Sequence, residues 1–176
     1  MSLSAAAKRS PDRLAKATLN GAAERLIAHA AAHRALLPPN GAGDLNLADY
    51  ISDLFAALAR AAPDETGVHL MLDADDIWLD ADRCWRIGLI LAELMRNAIR
   101  HGLGYGPGKV AIRVTDQLNH VVCFVSDSGR PVRNAAPGRG QRLIESLAAE
   151  LGGNVVWRFT QEGSVARLQT PKRVRR

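Results

Sequence analysis

The chain is poor in several features that would narrow its chemistry at once. It has only two cysteines, Cys84 and Cys123, among 176 residues. They form neither a metal-ligand spacing nor a disulfide framework, so both read as reduced core residues of a cytosolic protein. Aromatic residues make up 5% of the sequence, and none are interleaved with basic ones in the way nucleic-acid readers use them. No apolar run approaches the ~20 residues of a membrane span, and Met1–Ala7 lacks the charged start and long apolar segment of a secretory leader. The expectation is a protein soluble as given, with no membrane segment, which can still be the cytoplasmic end of a receptor.

What is present is ordinary for a globular domain: 47% hydrophobic and 23% charged residues, over a length that suits one domain by the rule of about 100–200 residues each. The formal net charge of +5 points first to nucleic acid or an acidic partner. Part of that excess, however, sits in Lys8-Arg9 and in Lys172-Arg173-Val174-Arg175-Arg176. Terminal basic tails are solubilising more often than they read DNA, so no nucleic-acid partner is expected.

The pattern divides the chain into four parts. Residues 1–11 read as a disordered arm or an expression scar. Residues 12–43 hold a helix starting at Pro11-Asp12, with a thin Ala-rich stripe (Leu14, Ala17, Leu19, Ala22, Leu26, Ala30, His33, Leu37) suited to a partner helix. Pro38-Pro39 end it, and the linker Asn40-Gly41-Ala42-Gly43 follows. Residues 44–171 form the main domain, and 172–176 a basic tail. Within the main domain, Ala48–Ala61 is an amphipathic helix with Tyr50, Ile51, Leu54, Phe55 and Leu58 on one side. Gly67–Asp73 alternates as a strand, and Ile77-Trp78-Leu79 reads as its short partner. Asp73, Asp75 and Asp76 at the strand end read as a turn rather than a metal cluster. Asp80 is placed to cap a long central helix. Two hairpins are expected, Lys109–Val114 with His120–Val125 and Asn154–Phe159 with Val165–Thr170, with a helix over Gln141–Leu151 between them that stops at Gly152-Gly153.

The central helix carries the chemistry. Leu89, Leu94 and Ile99, with Ala92 and Met95 between, give it a core face, while Glu93, Asn97, Arg100 and His101 share another face at spacings of three to four residues. A solvated polar stripe is the ordinary reading of such a face. Asn97 departs from it, because Asn disfavours helix interiors. A carboxylate and a carboxamide one turn apart can hold hydrated Mg²⁺, which takes oxygen ligands and keeps several waters. Beyond it, the buried strand Val121–Val125 delivers Asp127-Ser128-Gly129, where a carboxylate can accept from an exocyclic amine while a glycine lets backbone lie against a flat ring. Gly138-Arg139-Gly140 then opens a helix, which turns backbone N–H groups toward phosphate oxygens. Arg100 and Arg142 are the basic residues placed to reach phosphates, with solvated arginine as the alternative for each.

Glu93-x-x-x-Asn97, strand, Asp127-x-Gly129, then Gly138-x-Gly140 opening a helix resemble, in that order, the N, G1 and G2 boxes of the GHKL ATPase superfamily. The likeness is closest to the catalytic domain of bacterial sensor histidine kinases of the HWE type or a near relative. Gly138-Arg-Gly-Gln-Arg-Leu-Ile-Glu145 with Glu150-Leu-Gly-Gly153, and Ser128-Gly-Arg-Pro-Val132, carry the subtype likeness, which spans roughly Ala22–Pro171. The chain departs from the HWE pattern at Ala92 (His before the N-box Glu), Phe124 (Trp near G1) and Pro131 (the second Gly of Asp-x-Gly-x-Gly). Its lid, Val132–Pro137, is short.

The resemblance implies an α/β (α+β) fold, a two-layer sandwich with helices on one face of a mixed, mostly antiparallel sheet, plus the N-terminal helix as a remnant of a dimerisation and phosphoacceptor hairpin. It implies ATP and Mg²⁺ as cofactors, Asn97 as Mg²⁺ ligand, and Glu93 orienting or deprotonating the attacking group. Asp127 and Gly129 would hold adenine, Gly138 and Gly140 would receive phosphates, and Arg100, His101 and Arg142 would line the nucleotide. The partners implied are a response regulator and a second copy through the hairpin, in the cytoplasm. His29 and His33 stand in no acceptor-like box, so the acceptor histidine is expected outside this chain. An anti-sigma-factor-like serine kinase, and a phosphotransfer or adaptor protein with a degenerate nucleotide site, are the alternatives.

Overall fold

The computed structural model describes residues 13–39, 43–61, 67–129 and 139–173. The expectations placed on the arm 1–11, linker residues 40–42, Pro131, the lid, Gly138 and residues 174–176 lie outside these. The elements in order are α1 (Arg13–Ala35), β1 (Asp44–Asn46), α2 (Leu47–Ala61), β2 (Val68–Ala74), β3 (Trp78–Asp80), α3 (Ala81–Asn97), a π-helical turn (Ala98–Gly102), β4 (Gly108–Gln117), β5 (His120–Asp127), α4 (Arg139–Glu150), β6 (Asn154–Thr160) and β7 (Gly163–Pro171). They fall into two compact units, one within Met1–Leu37 and Asp53–Pro63, the other within Pro38–Ser52 and Asp64–Arg176.

In the first unit, the stripe read from the sequence on α1 is not buried among the described side chains, from Ala17 onward. Leu26 is 59% exposed and Ile27 65%, and His29 and His33 are also exposed. The C-terminal half of α2 buries Leu54, Phe55 and Ala57.

The second unit is built on a five-stranded sheet in the order β2-β4-β5-β7-β6. β4–β5, β5–β7 and β7–β6 pair antiparallel, and β2 joins parallel to β4. The parallel join follows from the chain path, because α3 and its flanking turns lie between β2 and β4, and a parallel pair needs such a crossover. Ile77-Trp78-Leu79 does not partner β2 as expected. β3 instead pairs antiparallel with β1, Leu45 opposite Leu79, a short ribbon at the start of α3 that the few apolar residues of Asp44–Asn46 did not reveal. The hairpin turns fall at Leu118-Asn119 and Gln161-Glu162, as the polar breaks predict.

One face of the sheet is covered by α3 and α4. Its inward residues include Val110, Ile112, Val114, Val121, Cys123, Val125, Ala166 and Leu168, all buried. From the helices come Ile87, Ile90, Leu91, Leu94 and Ala98, with Ile144, Leu147 and Ala148. The core stripe of α3 is thus turned relative to the one expected: Leu89, Met95 and Ile99 are only half-buried. The β-branched and leucine positions Ile87, Ile90, Leu91 and Leu94 satisfy the same helical period more deeply. Each such side chain removed from water stabilises the fold by about 1.5–3 kcal/mol.

Both ends of α3 are tied down. Asp80 accepts from the backbone N–H of Arg83 at 2.9 Å, the N-cap arrangement that the sequence implies. Arg83 is buried, 6% exposed. Its Nη2 donates to the Leu151 carbonyl and to Thr170 Oγ1, both at 3.0 Å, and to the Pro171 carbonyl. It thereby satisfies a carbonyl left open at the end of α4, and burial holds its guanidinium below its usual pKa. At the other end, α3 widens into the π-helical turn, with the Leu103 N–H donating to the Ala98 carbonyl at 2.9 Å. Single π turns inside helices often mark functional sites.

Candidate functional site

The π turn positions the site. Asn97, expected mid-helix, is the last α-helical residue before it. Widening the helix swings Gly102 onto the end of β5, where Asp127 is the last strand residue. The fit is close: a side chain on Gly102 would meet the Asp127 carboxylate, and one on Gly129 would overlap the Gly102 carbonyl and come within 2.9 Å of the Leu103 nitrogen. Neither position admits even alanine without displacing backbone or carboxylate.

Asp127 is buried, 7% exposed, and burial of a carboxylate requires partners. Its Oδ1 accepts from the Gly129 N–H at 2.9 Å, an Asx turn that fixes the carboxylate orientation. Its Oδ2 accepts from the Ser164 hydroxyl. Ser164 sits opposite Asp127 in the β5–β7 register, just after Gly163, which takes φ +143° and packs against the Asp127 carbonyl. The strand end is closed by Ser128, whose Oγ accepts from Lys109 N–H at 2.9 Å. Each carboxylate oxygen has a second acceptor direction beyond these contacts.

Glu93 lies on the polar face of α3 with its side chain 14% exposed. Its Oε2 pairs with Arg96 Nη1 at 3.0 Å, while Oε1 faces the backbone of Gly140, where an added side chain would overlap it. α4 packs on α3, so the N-terminus of α4 arrives beside the carboxylate of α3. Asn97, half-buried, follows one helical turn later on the same face.

The structure therefore brings Glu93 together with Gly140, and Asp127 together with Gly129 and Gly102. Arg100, His101 and Arg142 are exposed and make no ion pair with another described residue; Gly138 lies outside the described residues. Reasoning from sequence did not single out Ser164, Arg96 or the wall formed by Gly102. Arg96 had a signal, three residues after Glu93 on a helix. Ser164 had none, since its partner is set by the β5–β7 register. No group of three or more His, Cys, Asp or Glu gathers among the described residues. An open groove at the other end of α3, lined by Asp80, Arg83, Arg86, Glu150 and Lys172 among others, lies apart from these contacts.

A buried carboxylate with free acceptor directions suits an amine-bearing planar ring. A helix N-terminus beside an acid and an amide suits phosphates with a divalent ion. Comparison with known proteins identifies the fold and the family. Residues 69–170 match the family model described as a histidine kinase-like ATPase domain. No curated protein matches the chain. Among solved structures, the histidine kinase domain of the Erythrobacter litoralis EL346 blue-light activated histidine kinase superposes with a TM-score of 0.68 at 19% identity, covering 97% of this chain and 93% of that one. The Acinetobacter baumannii histidine kinase AdeS gives 0.58 at 17% identity, covering 94% and 87%. The catalytic domain of the histidine kinase ThkA gives 0.59 at 23% identity, covering 75% and 97%. At these identities the structures speak for the fold, a two-layer α/β sandwich, and the matched family model speaks for membership. The chain belongs to the histidine kinase-like ATPase domain family, with the ATP-binding catalytic fold of the sensor histidine kinases.

Proposed function

We propose that the chain binds ATP with Mg²⁺ and transfers the γ-phosphoryl group to a histidine nitrogen outside this chain, within a cytoplasmic two-component system whose next acceptor is a response regulator. The observation that supports this most directly is the contact of Gly140 with Glu93, which sets a helix N-terminus against the acid–amide stripe of α3.

Adenine is read by Asp127, oriented by Gly129 and Ser164, with the closely packed backbone of Gly102 and Gly129 as the wall beside the carboxylate. The N-terminus of α4 at Gly140 receives phosphate oxygens together with Gly138, and Arg100, His101 and Arg142 supply exposed donors beside them. Asn97, with its oxygen one turn after Glu93, fits Mg²⁺, which needs few protein ligands when phosphate and water complete its shell; bound there, the ion would neutralise charge on the β- and γ-phosphates. In transfer, the bond between the γ-phosphorus and the bridging oxygen breaks, the histidine nitrogen lone pair forms the new N–P bond, and ADP leaves. Glu93 orients the acceptor imidazole and takes up its proton. Positioning and charge neutralisation carry most of the rate in such reactions. The acceptor is placed outside this chain because neither His29 nor His33 sits in an acceptor-like sequence, and the exposed Leu26 and Ile27 of α1 suit packing on a helix of a second copy.

The test is calorimetric titration of ATP with and without Mg²⁺. Wild type should bind more tightly with the ion, and Asn97→Ala should lose about tenfold, ~1.4 kcal/mol, in Mg²⁺ only. Equal affinities in both conditions for both proteins would remove Asn97 from the site. A serine-directed kinase would use the same nucleotide site; acid-stable rather than acid-labile product would identify it.

A further inference from the structure

The sheet has a second face, turned away from α3 and α4, and its charge is one-sided. The strand registers place its side chains in rows. Asp73 lies opposite Arg113, Arg113 opposite Phe124, Phe124 opposite Arg167, and Arg167 opposite Val156. The next row runs Met71, Ala111, Ser126, Val165 and Arg158. Beyond it, His69 lies opposite Lys109. Lys109, Arg113 and Arg158 are exposed and Arg167 half-exposed. The only carboxylate in these rows is Asp73, and it pairs with Arg113 at 2.9 Å. Arg167 is held toward the sheet by Gln169 at 2.7 Å. Between the cations lie Met71, 52% exposed, and Val156, 47% exposed, with Phe124 half-buried.

We propose that this face is a docking surface for an acidic protein partner. A row of cations interleaved with apolar side chains gives both steering and desolvated contact to a surface carrying Asp and Glu among apolar residues. Among the described residues, Arg113 alone of these cations has a carboxylate partner, Asp73. Protein is favoured over nucleic acid by the aromatic content of the face. Its rings are Phe124, half-buried and flanked by arginines on both neighbouring strands, and His69 on β2, with β4 between them, whereas sheet platforms for single strands stack successive bases on several adjacent rings. The proposal is independent of the nucleotide site, whose residues lie at the strand ends and on α3 and α4.

The test uses the full chain, isotopically labelled, titrated with poly-L-glutamate as the carboxylate probe and followed by amide NMR shifts. Shifts should map to β2, β4, β5, β7 and β6, and affinity should fall as salt rises. The triple variant Arg113→Glu/Arg158→Glu/Arg167→Glu should bind roughly tenfold or more weakly with unchanged affinity for Mg²⁺·ATP, whereas Arg173→Glu in the basic tail should bind as wild type does. Undiminished binding by the triple variant, shifts confined to the tail, or tighter binding of oligo-dT than of polyglutamate at the same salt would overturn the proposal. Should the triple variant not fold, Lys109→Glu and the wild-type shift map decide the matter by the same criteria.

Discussion

The backbone of Gly140 lies directly against the carboxylate of Glu93, so that a methyl group at residue 140 would overlap Oε1 and come within 3.0 Å of Cδ. Glycine in a helix ordinarily costs about 0.5–1 kcal/mol relative to alanine, so Gly140→Ala would be stabilising wherever α4 had free space around it. Here the Glu93 carboxylate must swing aside, which the end of a flexible side chain does at little cost. Gly140→Ala should therefore change stability by no more than about 0.5 kcal/mol while weakening Mg²⁺·ATP binding through the displaced Glu93, read by urea unfolding and calorimetry. A more stable variant with undiminished affinity would show that the contact yields freely.

Asp127→Asn should reduce ATP affinity about tenfold, since a hydrogen bond to a charged group is worth about 1.5–3 kcal/mol. Ser164→Ala should cost less, because the hydroxyl orients Asp127 without touching the base, and Gly129 N–H still holds Oδ1. Competition with a fluorescent ADP analogue gives both values. Equal losses in the two variants would mean that the Ser164 hydroxyl itself meets the nucleotide.

The helix N-cap at Asp80, both hairpins and the placement of Glu93 on α3, Asp127 at the end of β5 and Gly140 at the start of α4 were legible in the sequence, because each rests on local chemistry: a period, a cap, a turn, a glycine beside a polar residue. The α/β sandwich was legible through the ordered motifs that resemble a known family. The parts that were not legible depend on distant pairing. β3 pairs with β1 rather than β2, and nothing local distinguishes the two partners. Ser164 meets Asp127 only through sheet register. The rotation of the α3 core stripe from Leu89 and Ile99 to Ile87, Ile90 and Leu91 follows from an apolar sequence nearly continuous around the helix, in which several faces fit the same period. The π turn has no signature at all, since one extra residue in a helix leaves no trace in composition.

Alkaline pH should destabilise the protein. Burial pushes the Cys84 and Cys123 thiols from 9.0 up to about 12, and the Tyr50 phenol, buried near Cys84, from 10.0 to about 12. Raised folded-state values mean that the stability these groups contribute is fully present below pH 9 and lost as pH rises toward 12, because the unfolded chain releases its protons first. Each thiol adds a slope approaching ~1.4 kcal/mol per pH unit within that window. Urea midpoints between pH 8 and 11 should fall steeply in wild type and less in Cys123→Ala. A flat midpoint across the range would mean that the thiols ionise in place.

The parallel join of β2 to β4 also sets an order of assembly. β4 with β5, and β6 with β7, are neighbours along the chain and close by short turns, whereas β2 reaches its place only after β3, α3 and the π turn have been traversed. Contacts distant in sequence carry a larger loop-closure entropy and slow folding. The β2–β4 join, 40 residues apart at Asp73 and Arg113, and the β5–β7 join, 37 apart at Asp127 and Ser164, therefore both follow the closing of the hairpins. The cradle of Asp127, built where β5 meets β7, is thus complete only once the two hairpins have docked on each other.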